Sequence, residues 1–202
     1  MVASESRSPT DPADSAAAVW DEEAASYDAS RRTDPVYSSC VHQVTREVPS
    51  KTQLCLDAGC GTGLSTADLR SRCRMVVAVD FSIESSRVLK SKGLPNVVPV
   101  QADLSLLPFK DSTFEACVSA NTLQHFGPRG AQQRAIAELK RVTKEFGVLC
   151  LSVHHYSRSK RRGGWKKEGK PGQPGIDYWL LWCSQGPISW KPTAELLGAP
   201  IR

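Results

Sequence analysis

The chain has 202 residues, 40% of them hydrophobic and 23% charged, which is the size of one ordinary domain with enough apolar material for a packed core. No apolar run approaches the ~20 residues of a bilayer crossing, and the Ser-, Pro- and Asp-rich first residues lack the apolar stretch of a secretory signal, so a cytoplasmic protein is expected. The formal net charge of +5 hides an asymmetry: twelve Lys/Arg and only three Asp/Glu fall between Arg129 and Pro171, leaving one basic segment on a mildly acidic body.

Residues 1–13 read as a disordered leader. From Asp14 an Ala-rich pattern carries Val19, Trp20, Ala24 and Tyr27 at helical spacing, and a second helix is predicted from Pro35 to about Glu47, with Val36, Val41 and Val44 on its apolar side. After Pro49 the rhythm changes to short apolar runs at Leu54–Leu56, Met75–Val79, Val97–Val100, Phe114–Ser119 and Val148–Val153. They lack in/out alternation, as strands buried on both faces do. Helices are predicted between them at Leu64–Ser71, Ile83–Lys92 and Gly130–Lys144. This alternation implies right-handed crossovers and an open, doubly wound α/β sheet.

The seven cysteines are scattered, with no C-x-x-C pair, which argues against a disulfide scaffold and against a metal site such as zinc. Cys55, Cys117 and Cys150 fall in predicted strands and read as core. Ser157–Gly175 is basic and glycine-rich, a loop. Beyond Tyr178 no period is evident, and only Thr193–Leu197 suggests a short helix.

The chemistry concentrates in Asp57-Ala58-Gly59-Cys60-Gly61-Thr62-Gly63, where a buried strand runs into a glycine-rich turn and then a helix. Open α/β sheets bind ligands outside the carboxyl ends of their strands, and glycines let the backbone approach them. The G-x-G-x-x-G fingerprint fails, because Leu64 stands where its last glycine belongs, and there is no Gly-Lys-Ser/Thr for a phosphate. Asp57 would repel a pyrophosphate but suits a ligand carrying an amino group. Asp80 ends the second strand, where an acid can accept from two ribose hydroxyls; as an alternative it caps the next helix, a task also open to Ser82. Asp103 ends the third strand and suits an adenine amino group, or serves as a turn residue. Together the three acids match an adenosine with a cationic amino-acid tail.

These pieces, in order with Trp20-Asp21 through Tyr27-Asp28, Val79-Asp80-Phe81-Ser82, Ala102-Asp103-Leu104 through Phe109, Phe114 through Ser119 with Leu123-Gln124-His125, and Leu139-Lys140-Arg141-Val142, resemble the class I S-adenosylmethionine-dependent methyltransferases of the type 11 group, which includes quinone-biosynthesis enzymes. The resemblance runs from Trp20 to Val153. It implies a methyltransferase domain over 14–153 with a Rossmann-like, mainly parallel sheet and S-adenosyl-L-methionine as cofactor. By the same resemblance Asp57, Gly59, Cys60, Gly61 and Gly63 would hold the methionine end, Asp80 with Phe81 the ribose, Asp103 with Leu104 the adenine, and Asn121 would lie beside the sulfonium.

His125 follows the fourth strand and reads equally as a general base or as a polar residue closing the pocket. His154, His155 and Tyr156 read as substrate-side or loop-anchoring residues. The expected acceptor is a small molecule. The alternatives are RNA held by the basic run 158–170, or a non-catalytic binding protein. The basic run also reads as a solvated loop without the interleaved aromatics of an RNA platform. The family's sheet ends in an antiparallel edge hairpin. Fewer than fifty residues follow Val153, so in 154–202 that hairpin is expected to be short, degenerate or missing, as in a short family member or with an altered C-terminus.

Overall fold

The structure, a computed structural model, describes residues 12–126, 129–155 and 178–185. Of the leader expected over residues 1–13, residues 1–11 lie outside the described residues, as do Tyr156, the basic run 158–170 and the helix suggested at 193–197, whereas Pro12 and Ala13 are not leader but the start of the first helix. Two helices lead, α1 (Pro12–Arg32) and α2 (Pro35–Thr45). The strands are β1 (Thr52–Ala58), β2 (Cys73–Asp80), β3 (Val97–Gln101), β4 (Phe114–Ala120) and β5 (Thr143–His155). Between them run α3 (Leu64–Leu69), α4 (Ile83–Ser91) and α5 (Arg129–Val142). Each strand and helix predicted between Asp14 and Val153 is present, with ends shifted by a few residues.

With a sixth strand, β6 (Tyr178–Gln185), the strand order is β3-β2-β1-β4-β5-β6, with β1 to β5 parallel. Successive residues of a strand point to opposite faces, and here both faces are covered. Leu56, Cys117 and Leu149 join Phe114, Leu139 and Val142 in one core. Cys55, Ala116, Val118, Val148 and Cys150 join Val41, Val44 and Leu69 in the other. That is why the strands show no alternation in hydropathy. The α1 expectation needs one correction: Ala24 is buried, but Val19 is 53% exposed.

One strand went unrecognised in the sequence. Residues Tyr178–Gln185 form β6, which pairs antiparallel with β5 from Val148↔Gln185 to His155↔Tyr178. The run Tyr178-Trp179-Leu180-Leu181-Trp182 is apolar and aromatic, as strand residues are, yet it carries no alternation to mark it. Its pairing supplies partners to the outer backbone edge of β5, which would otherwise be an open template. Residues Lys144–Gly147 interrupt the pairing of β5, whose register with β4 jumps from Phe114↔Thr143 to Ala116↔Val148.

The long connection from β3 to β4 has no helix and is stapled to α5 instead. Arg141 donates to both Glu138 carboxylate oxygens, to the Phe109 and Leu107 carbonyls and to Asp111, while Glu138 accepts the Leu107 N–H at 2.7 Å. No helix among the described residues is long and apolar enough to cross a membrane. Leu139 is fully buried at the centre of the α5 face, so Leu139→Ala is expected to cost about 2–5 kcal/mol, read as a lower urea midpoint with unchanged slope.

Candidate active site

The sheet reverses its winding between β1 and β4, and a crevice opens at the carboxyl ends of the strands there. A cavity of about 910 Å³ occupies it. Its floor is made of Gly59, Cys60 and Gly61 after β1, Asp80 and Phe81 after β2, Asp103 and Leu104 after β3, and Asn121, His125 and Phe126 after β4. Trp20, Ala24 and Tyr27 of α1 and Tyr37 of α2 form the opposite wall. Nine of the eleven residues singled out from the sequence therefore share one cavity.

The other two are Asp57 and Gly63. Asp57 is fully buried beneath the turn, and its carboxylate accepts from the Ser65 hydroxyl at 2.8 Å and the Thr66 hydroxyl at 2.6 Å. It supports the glycine turn from below and does not line the cavity. Gly63 begins α3 with φ 93°, where an added Cβ would stand 2.4 Å from Leu89. Gly61, by contrast, has φ 51° and nothing within 4 Å of such a Cβ; it bares backbone to the cavity and leaves room for a ligand.

Asp80 ties two turns together. Its Oδ2 accepts the Gly61 N–H at 2.8 Å and its Oδ1 the Ser82 N–H at 3.0 Å. Burial raises its pKa, and the Ser82, Gly61 and Phe81 N–H groups oppose the rise. The capping alternative is resolved: Ser82 is the N-cap of α4, its hydroxyl accepting from Ser85 N–H at 3.0 Å. Asp103 Oδ1 accepts the Ser105 N–H at 2.7 Å. Each carboxylate retains lone pairs for a ligand. Cys60 is buried, and burial pushes its thiol pKa well up.

Helix α1 is strapped over the cavity at two points. Asp21 Oδ1 accepts the Ser82 hydroxyl at 2.5 Å and the Glu84 N–H at 3.1 Å, reinforcing the start of α4. Lys92 Nζ donates to Asp28 at 2.6 Å and to the Thr62 carbonyl of the glycine turn. His125 closes a single 3-10 turn, Leu123–His125, and is exposed at the rim. Its ring stands edge-on to Trp20 with centroids 4.8 Å apart. Sequence reasoning missed Tyr37, Phe126 and Arg134 as cavity residues. No spacing marks them: Tyr37 and Arg134 reach the cavity only when α2 and α5 dock on the sheet, and Phe126 only through the 3-10 turn after β4.

Residues 56–151 match a methyltransferase domain family. Over that stretch the chain is similar to the class I, type 11 methyltransferases. A demethylmenaquinone methyltransferase of Corynebacterium kroppenstedtii is 39% identical over 103 residues, covering 51% of this chain and 42% of that protein. One from Renibacterium salmoninarum is 32% identical over 149 residues, covering 69% and 58%. Among solved structures, a Burkholderia thailandensis 1,6-didemethyltoxoflavin-N1-methyltransferase with S-adenosylhomocysteine shares the fold at TM-score 0.59 and 19% identity, covering 78% and 69%. The chain spans about half the length of the curated relatives it matches. S-Adenosylmethionine is the cofactor of this domain type, and the bare Gly61 backbone together with the strand-end acids fits it.

Burial raises the Asp57 pKa to about 6, against an ordinary value near 3.8, with the Thr66 and Ser65 hydroxyls opposing the rise. The folded chain thus binds this proton more tightly than the unfolded chain. The resulting stability is fully present below about pH 4 and is lost as pH rises through about 6. Replacing Asp57 with Asn removes the titration: from about pH 4 to 7 the variant's stability is expected to gain on wild type by roughly 2–3 kcal/mol. Urea unfolding of both proteins across that range checks the sign, and parallel pH profiles would contradict it.

Proposed function

We propose that this protein transfers a methyl group from S-adenosylmethionine to a small-molecule acceptor. The observation that carries the reading is the single cavity running from the strand-end acids to an aromatic wall on α1 and α2, with α1 strapped across it. A flat ligand fits between such walls, whereas a nucleic acid needs an open basic groove. The RNA alternative draws on residues 158–170, outside the described residues. The names of the demethylmenaquinone relatives also point toward a small acceptor.

In this reading Asp80 accepts from the ribose hydroxyls beside Phe81. Asp103 and the Leu104 backbone meet the adenine. Gly59, Cys60 and Gly61, supported by Asp57 and Gly63 beneath, admit the methionine end, and Asn121 borders the reacting methyl. When bound, S-adenosylmethionine supplies a sulfonium methyl group with a good leaving group, so the protein's main work is alignment. The straps of α1 hold the aromatic wall in place and keep water from the site. His125, at the rim, receives a proton where the acceptor must lose one.

Calorimetry is expected to detect S-adenosylmethionine binding to the wild-type chain, and Asp80→Ala to weaken it by roughly tenfold or more, given the strength of hydrogen bonds to a charged group. Asp80→Asn, which can still accept, should lose less. No heat with a folded wild-type chain would overturn the methyltransferase reading. For His125→Gln, the acidic limb of the pH profile of kcat/KM should flatten while cofactor affinity holds; an unaltered profile assigns His125 to pocket closure only.

A further inference from the structure

Two carboxylates line the cavity, Asp80 and Asp103, and among the described residues one side chain of fixed positive charge does, Arg134 of α5. Both carboxylates accept backbone N–H groups and have a task in the methyl-transfer reading. Arg134 has none. Among the described residues its guanidinium makes no hydrogen bond, ion pair or ring contact.

The helix explains why the charge is left unmet. Side chains on a helix meet those three and four positions away, and for Arg134 these are Gly130, Ala131, Ala137 and Glu138. Glu138 is the one acid in that set, and it is engaged elsewhere. Arg141 donates to both of its carboxylate oxygens, at 2.7 and 2.8 Å, and the Leu107 N–H donates to one of them at 2.7 Å. A helical side chain leans toward the start of its helix. The guanidinium does so, with Nη1 3.4 Å from where a Cβ on Gly130 would stand. Gly130 and Ala131 also line the cavity, so this turn sets no bulky side chain between the guanidinium and the open space. The helix itself is firmly held. Ala135 and Leu139 are fully buried, and Gln132 Nε2 donates to the Leu123 carbonyl at 2.9 Å, tying α5 to the turn that carries His125.

A fixed cation with no partner, presented from a rigid helix at the edge of a cavity, attracts an anion. The planar fork of a guanidinium matches the two oxygens of a carboxylate or phosphate. The cofactor is a poor match for it. With a sulfonium, an ammonium and one carboxylate it is a net cation, and its carboxylate belongs with the methionine end at the glycine turn after β1, whereas Arg134 stands on the helix that follows β4. The aromatic walls, Trp20, Tyr27, Tyr37 and Phe126, suit a flat apolar body. Resting on the methyl-transfer reading, we propose that Arg134 sets acceptor specificity by receiving an oxyanion, a carboxylate or a phosphate ester, carried on an acceptor with a flat apolar body.

The test uses the full chain loaded with S-adenosylhomocysteine and equilibrium dialysis of probes that share one ring system: naphthalene-2-carboxylate, 2-naphthyl phosphate and naphthalene-2-carboxamide. At least one oxyanion is expected to bind roughly tenfold or more tighter than the amide, the scale of a hydrogen bond to a charged group, and the tighter oxyanion names the group. Arg134→Gln should remove that preference while leaving affinity for the amide and for S-adenosylhomocysteine unchanged. Arg134→Lys, which keeps the charge but not the fork, should fall between the two. Arg134 is exposed, so both variants are expected to fold, as circular dichroism would verify. The assignment is wrong if the amide binds as tightly as both oxyanions, if the loaded chain ignores all the probes, or if Arg134→Gln keeps the preference. It is equally wrong if Arg134→Gln weakens S-adenosylhomocysteine instead, which would give the guanidinium to the cofactor. In each of these cases the methyl-transfer reading stands; failure of the wild-type chain to bind S-adenosylhomocysteine sinks both.

Discussion

The carboxylate of Asp80 reaches from the end of β2 to two separate pieces of backbone, the Gly61 N–H of the turn after β1 and the Ser82 N–H at the start of α4. Much of the cavity depends on that bridge. It fixes the spacing between the first two strand ends, and it orients the α4 cap to which Asp21 of α1 then attaches. The carboxylate is almost fully buried, where charge–dipole bonds are stronger than in water and an unmet charge costs more. The same atoms that organise the turn thus sit ready for a ligand's hydroxyls.

Around this bridge the chain works as two halves. The parallel strands bring chemically distinct segments to one edge, because every crossover returns the chain to the same end of the sheet. That edge supplies acids on the β2 and β3 side. On the β4 side it supplies an amide, a histidine and, from the overlying helices, aromatic rings. The division between a carboxylate-bearing end and an end lined by Asn121 and aromatic rings follows from the winding reversal between β1 and β4. The Lys92 bridge to Asp28 and to the Thr62 carbonyl ties the overlying helix to the glycine turn itself, so the wall and the floor of the cavity are not independent.

The contrast between β5 and β6 illustrates what could be read in advance. Strand β5 was legible because Val148 through Leu151 is an uninterrupted apolar run that follows a helical pattern. Strand β6 was not, since Tyr178–Gln185 follows a long basic stretch and gains its identity only by pairing with β5. Likewise Asp80 and Asp103 stood out as acids at predicted strand ends. Asp57 was equally visible, but its carboxylate turns inward to Ser65 and Thr66, a direction that depends on how α3 packs against β1.

The amino-acid sequence alone determined the alternation of strands and helices, the glycine turn, and the acids that follow three successive strands, because each is local: apolar run length, backbone freedom and position relative to a strand end. Only the tertiary structure decided which face of the amide Asn121 presents, that Tyr37 and Tyr27 meet although they lie on different helices, and that His125 stands at the rim against Trp20. Those facts depend on contacts between residues far apart in the chain. Such contacts exist only once the two leading helices close over the strand ends, and no local pattern encodes them.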